Sequence, residues 1–197
     1  MTHCIHRTKI DWLIRSWLKY PEKSFSTMRL TSWLGSEIDV PHLTFDFGTV
    51  PNLFFYIDYI PRVDLWTNVD YVERYYEPIN STYLSLHENP ELSLFVSKGL
   101  YIRLIQSPTH VCYTCPSSEQ SLELIRSVSH EMCDRCLNWV ENAQRVPEEK
   151  QAELALRDAQ MRRISAERDP GNSMAKLLLG EELANQLVRA LWDSSQR

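Results

Sequence analysis

A chain of 197 residues, 43% hydrophobic and 24% charged, is long enough for one sizeable core and too rich in apolar residues to be disordered. A net charge of −5 provides no sequence-wide basic surface to offset a phosphate backbone, so nucleic acid is excluded as the expected partner. The longest apolar run, 53–60, is broken by Asp58 and is far too short to span a bilayer. Residues 1–7 have neither the apolar stretch of a signal peptide nor a Ser/Arg-rich organelle leader, which on its own reads as cytoplasmic. Six Trp, nine Tyr and six Phe exceed what a small core needs, and a flat conjugated ligand would use them.

In chain order, residues 10–18 alternate with Ile10, Trp12, Ile14 and Leu18 on one side, and 24–31 follow across Tyr20-Pro21-Glu22-Lys23, a hairpin pattern. The period of two in 43–47 places Leu43, Phe45 and Phe47 on one face and Asp46 on the other. The continuous apolar run 53–59 predicts a strand covered on both faces, at the sheet centre. Asn68 caps a predicted short helix stopped by Pro78, and Asn80-Ser81 cap a second that ends near Asn89-Pro90. Segments 100–106 and 110–115 read as two more strands around the turn Ser107-Pro108-Thr109, for about six strands in all. From Ser117 the pattern is helical: one long helix to about Arg145, a second opened by Pro147 with Glu148 and Glu149, and a third after Gly171-Asn172-Ser173. Strands first and helices last predict an antiparallel sheet with helices packed on it.

Cys112-x-x-Cys115 followed by Cys133-x-x-Cys136 has the spacing of a four-thiolate zinc site. Positions 112 and 115 on a strand point to opposite faces, however, and neither pair has a glycine knuckle, so buried thiols are the expectation and a zinc-stabilised interaction module is the competing reading. The histidines form no metalloprotease pair, no Ser occupies a nucleophile elbow, and the five glycines make no phosphate or dinucleotide loop. Any redox chemistry must therefore borrow its electrons. Two carboxylates remain: Asp46, which is either solvent-facing or functional, and Asp169 before Pro170, which is either a turn residue or functional.

Pro61-Arg62-Val63-Asp64-Leu65, Phe54-Phe55-Tyr56-Ile57-Asp58, Tyr75-Tyr76, and Tyr101-Ile102-Arg103 through Ser107-Pro108-Thr109 together resemble the red chlorophyll catabolite reductases. The tail, with Arg157-Asp158, Arg162-Arg163 and Gly180-Glu181-Glu182, does so too. The likeness runs in unbroken order over about residues 8–193 and extends to the wider ferredoxin-dependent bilin reductases. It implies an α/β fold, a three-layer α/β/α sandwich with a central, mainly antiparallel sheet, as one domain over 1–197. The tetrapyrrole would lie between the sheet and one helical layer. It further implies that a methine-bridge double bond of red chlorophyll catabolite, a linear tetrapyrrole, is reduced to the primary fluorescent catabolite. Reduced ferredoxin would donate the electrons, no cofactor or metal would be bound, a homodimer would be the assembly, and the chloroplast the location.

By local matching, the family's pigment-flanking acids fall on Asp46 and Asp169, which become the expected catalytic residues; the plant counterpart of Asp46 is Glu, one methylene longer. Adding electrons to a conjugated tetrapyrrole makes it more basic, and a neutral carboxylic acid beside it can then protonate it. Holding that proton requires burial among aromatic walls, for which Phe45 and Phe47 are the candidates. Gln106 and Arg103 are the further expected substrate-binding residues, Gln106 being an amide where an apolar side chain would be expected. Relatives carry a helix and at least one strand ahead of the segment matching 10–18, so the sheet is expected to lack an edge. A non-catalytic binder of the same pigment is the alternative from another class. Residues 1–36 carry Arg7, Lys9, Arg15, Lys19, Lys23 and Arg29 against Asp11 and Glu22, a local basic surface suited to an acidic ferredoxin.

Overall fold

The computed structural model describes residues 9–20, 22, 25–49 and 52–193. Six strands form one sheet in the order β1-β2-β3-β4-β6-β5. They are β1 Ile10–Tyr20, β2 Phe25–Leu34, β3 His42–Thr49, β4 Leu53–Ile60, β5 Ser93–Leu94 and β6 Val111–Cys115, and every pairing is antiparallel. The helices are α1 Val69–Tyr75, α2 Glu77–His87, α3 Leu100–Ile105, α4 Glu119–Glu141, α5 Glu148–Glu167, α6 Asn172–Leu179 and α7 Glu181–Ala190. None is long and apolar enough to cross a membrane.

Because partners across an antiparallel ladder point the same way, the register sorts the sheet into two chemically distinct faces. One carries Leu43, Phe45, Phe55, Ile57, Tyr59, Val111 and Tyr113, which join Tyr71, Tyr76 and Ile79 of the α1–α2 region and Val128, Met132 and Cys136 of α4 in the main core. Two phenols fasten this layer: Tyr59 Oη donates to the Met132 carbonyl at 2.6 Å, and Tyr76 Oη donates to the Tyr59 carbonyl at 2.8 Å. Helix α4 is opened by Ser118, whose hydroxyl accepts from the Ser121 amide.

The other face carries Arg29, Thr31, His42, Thr44, Asp46, Tyr56, Asp58 and Cys112, and α5 covers part of it. Helix α5 buries Asp158, Arg162 and Ala166, a stripe at four-residue spacing whose first two members are charged. Asp158 Oδ2 accepts from Arg62 Nη2 at 2.5 Å, and its Oδ1 lies 3.2 Å from His42 Nε2. Arg62, 1% exposed, also donates to the carbonyls of Gly35, Ile38 and Val40. Removing any one partner would leave buried charge unmatched, so this network fixes how α5 sits on the sheet.

Three local expectations are corrected. Segment 100–106 is not a strand: Leu100–Ile105 is helical, with Ile102 and Ile105 one turn apart on the cavity side and Leu104 74% exposed. The sixth strand is instead the two-residue β5, paired to β6 through Ser93 and Leu94. Pro78 does not stop a helix but lies in the first turn of α2, where its missing N–H costs nothing. The last helical stretch is split at Gly180, whose φ of 83° suits a residue without a side chain.

Candidate functional site

Between the polar face of the sheet and the layer formed by α3 and the end of α5 lies a cavity of about 390 Å³, in the size range of organic-ligand pockets. Its sheet side is built from Arg29, Thr31, Trp33, Thr44, Asp46, Phe54, Tyr56 and Cys112, and its helical side from Ile102, Ile105, Gln106, Ser165, Asp169 and Pro170. Phe95 packs edge-on against Phe54 at 4.9 Å and closes one end. Gly99 lets α3 approach the loop after α5, since a Cβ there would meet Pro170 at 3.0 Å. Arg168 lies over the Tyr101 ring across the same junction.

Arg29 on β2 and Asp46 on β3 are register partners, so both side chains rise from the same face. Arg29 Nη2 donates to Asp46 Oδ2 at 2.6 Å and to Asp169 Oδ2 at 2.8 Å, while its Nε also reaches Asp46 at 3.1 Å. Asp169 is aimed inward by the turn that follows α5, where its Oδ1 accepts from the Gly171 amide at 2.7 Å. The two expected acids therefore meet on one nitrogen of one guanidinium. Burial raises the Asp46 carboxyl above its ordinary range, the Asp169 charge adds to the rise, and Arg29 with Thr27 opposes it. Burial works against the Arg29 charge, but the two carboxylates hold it above its usual value. One cation facing two acids leaves an excess negative charge if both ionise, which favours keeping one proton in the cluster.

The remaining expected residues divide. Gln106 lines the cavity directly after α3. Arg103 does not: it is exposed on α3 and donates to the Ser97 carbonyl at 2.7 Å, holding the loop whose Ser97 and Lys98 form part of the wall. Phe45 and Phe47 also lie away from the cavity, on the core face, because residues adjacent to Asp46 must point opposite to it. The aromatic walls are Trp33, Phe54, Tyr56 and Phe95. Sequence reasoning places Arg29 only in a basic surface; its position between Met28 and Leu30 marks it as pointing opposite to them, and the register with Asp46 sets the two on one face. Of the other cations in that group, Lys9 donates to the Val140 carbonyl, and Arg7 and Lys23 lie outside the described residues.

The cysteines do not converge. Cys112 lines the cavity while Cys115 lies in the core on the other face, and burial pushes the thiols of Cys112 and Cys136 up to about 12. Among the described residues no group of three His, Cys, Asp or Glu could hold a metal ion. Cys4 lies outside them.

The fold is similar to that of a tomato phytochromobilin synthase solved in complex with biliverdin, with a TM-score of 0.79 at 19% identity, over 96% of this chain and 68% of that one. In sequence the chain is 28% identical to the chloroplastic red chlorophyll catabolite reductase of Arabidopsis thaliana and 24% identical to a chloroplastic red chlorophyll catabolite reductase of Oryza sativa subsp. japonica, over 92% and 91% of its length. It spans 62% and 59% of those relatives. The sequence profile of red chlorophyll catabolite reductase (RCC reductase) matches residues 2–193, nearly the whole chain, and the protein belongs to that family.

Proposed function

We propose that the protein is a ferredoxin-dependent oxidoreductase of chlorophyll breakdown, reducing a methine-bridge double bond of red chlorophyll catabolite to give the primary fluorescent catabolite. The observation that carries this reading is the pair of acids on Arg29 inside an aromatic-walled cavity, in a chain that matches the family throughout. The pigment would lie against the polar sheet face under α3 and the loop 169–171, with Trp33, Phe54 and Phe95 excluding water and Gln106 at its edge. Two one-electron transfers from reduced ferredoxin raise the basicity of the conjugated system. Burial raises the Asp46 carboxyl against the pull of Arg29, which favours its taking up a proton to give as charge develops, and the carboxylate that forms is already facing Arg29, so its appearance needs little reorganisation. Asp169 shares the guanidinium, and its charge adds to the rise of the Asp46 carboxyl. The chloroplast is the proposed location, on the names of the Arabidopsis and rice relatives. Anaerobic incubation with red chlorophyll catabolite and a reduced-ferredoxin system, followed by fluorescence and chromatography, should yield a blue-fluorescent product; an unreduced pigment that stays bound would leave a carrier role instead.

A further inference from the structure

The acid cluster occupies one side of the cavity floor, and a second hydroxyl–carboxyl pair stands beside it. Tyr56 on β4 is the register partner of Asp46, so the two rise side by side on the same face, and Asp58 follows two positions on, also toward that face. Tyr56 lines the cavity, and its hydroxyl donates to Asp58 Oδ2 at 2.8 Å. The Ser107 amide donates to that same oxygen at 3.0 Å. Asp58 is 0% exposed, its Oδ1 has no hydrogen-bond partner, and among the described residues it makes no ion pair. Asp46 and Asp158 differ in that each is joined to an arginine.

Burial raises the Asp58 carboxyl above its ordinary range, which favours its holding a proton, against the Ser107 and Tyr56 hydrogen bonds and His110. The titratable and charged groups around the pair are Cys112 across the ladder, Tyr76 from the α1–α2 junction, His110 after the Ser107 turn, and Arg29, which acts on Tyr56. His110 directs Nδ1 to the Ser107 carbonyl at 2.7 Å rather than to the carboxyl. Burial and Asp58 both hold the Tyr56 phenol above its ordinary value, so it can release its proton only if another replaces it in the same step.

We infer that Tyr56 is a second proton donor to the bound pigment, reloaded from Asp58 across their hydrogen bond, so that the two protons of one reduction come from two different groups on the cavity floor. This rests on the proposed reduction. Two electrons, delivered singly by the iron–sulfur donor ferredoxin, and two protons convert one C=C into two new C–H bonds. One proton comes from the Asp46–Asp169 pair. For the other, the Tyr56 hydroxyl turns its proton from Asp58 Oδ2 to the pigment, which frees its oxygen to accept from protonated Oδ2; the Tyr56 O–H bond breaks as the pigment C–H bond forms, and the Asp58 O–H bond breaks as the Tyr56 O–H is restored. Asp58 is left as a carboxylate held by the Ser107 amide, to be reprotonated by water after product release. Tyr56 acts as a catalytic residue here and Asp58 as a positioning and reloading one.

The test compares wild type with Tyr56→Phe, Asp58→Asn and the double variant, using red chlorophyll catabolite in a binding titration and in single turnovers with excess reduced ferredoxin between pH 6 and 9. Binding should stay within about twofold, while each single variant should slow the turnover by about 10- to 100-fold. The double variant should be no slower than Tyr56→Phe, since Asp58 acts through the phenol. Asp58→Asn should also lose the part of the alkaline fall in rate that marks ionisation of Asp58, leaving only the limb set by the Asp46 carboxyl. Wild-type turnover in Tyr56→Phe, or losses that multiply in the double variant, would overturn the inference. Should the wild type bind the pigment without reducing it, the proposed reduction fails, and the donor is then read from the absorption of the bound pigment. Its protonated form should persist to higher pH in wild type than in Tyr56→Phe, and identical titrations in the two would overturn the assignment.

Discussion

Asp169 and Arg29, 140 positions apart, form a 2.8 Å ion pair that draws the end of α5 onto the sheet and completes the acid cluster. The same contact joins the cavity roof to its floor, so the proposed acid cluster and the packing of the loop after α5 share it. Replacing Asp169 or Asp46 by Asn preserves shape and much of the hydrogen bonding. Each variant should still bind red chlorophyll catabolite yet lose about 100-fold or more in single-turnover rate, read as loss of the red pigment's absorbance with ferredoxin in excess. Near-normal turnover in Asp169→Asn would remove it from the mechanism.

Arg29→Met should act in the opposite sense on the acids. Without the guanidinium, the Asp46 carboxyl loses the positive charge that favours its ionisation, holds its proton more tightly and donates it less readily. The alkaline limb of the rate should move to higher pH while the maximal rate falls. Loss of a partly buried, doubly paired cation should cost on the order of 2 kcal/mol in urea unfolding at pH 7.

His42 supplies a pH dependence of stability with a defined sign. Its Nδ1 accepts from the Leu34 amide, and burial, aided by the Arg62 and Arg162 charges, lowers its pKa from 6.5 to about 4 although Asp158 pulls it upward. The unfolded chain therefore binds a proton that the folded chain refuses. The contribution is fully present above pH 6.5 and is lost as pH falls toward 4, on the order of 3 kcal/mol across that window. Urea titrations at pH 7, 6 and 5 should show this decline, and His42→Gln should flatten it.

Arg62 binds three carbonyls and Asp158 from a fully buried position. Arg62→Leu leaves those acceptors and the Asp158 charge unmatched, and should destabilise the protein by about 3–5 kcal/mol, seen as a lower urea midpoint. A change under 1 kcal/mol would mean that α5 is held by something else.

Lys19 projects from the exposed side of β1, and Lys23 lies outside the described residues. If this hairpin receives ferredoxin, Lys19→Glu with Lys23→Glu should raise the apparent ferredoxin KM several-fold and weaken its dependence on salt. An unchanged salt profile would place the docking surface elsewhere.

Strand alternation was enough to locate the hairpin, to set Asp46 against Phe45 and Phe47, and to mark 53–59 as the sheet centre, because a period of two fixes which side chains share a face. That same rule, applied consistently, removes Phe45 and Phe47 from the cavity and admits Arg29 and Tyr56. Segment 100–106 misleads because a short run of five Leu, Tyr and Ile residues around Arg103 fits a strand or one and a half helical turns equally well; only packing of Ile102 and Ile105 over the sheet selects the helix. Helix α5 was legible as a helix but not as to which face it buries, since Asp158 and Arg162 carry no hydrophobic signal and are stable inside only because Arg62, His42 and Asp11 meet them there. Local sequence thus determined the long elements and, on the strands, the parity of each side chain. The acid cluster was decided by tertiary structure alone, because a charge can be buried only where a partner from a distant part of the chain offsets its lost hydration, and Arg29 is that partner for both Asp46 and Asp169.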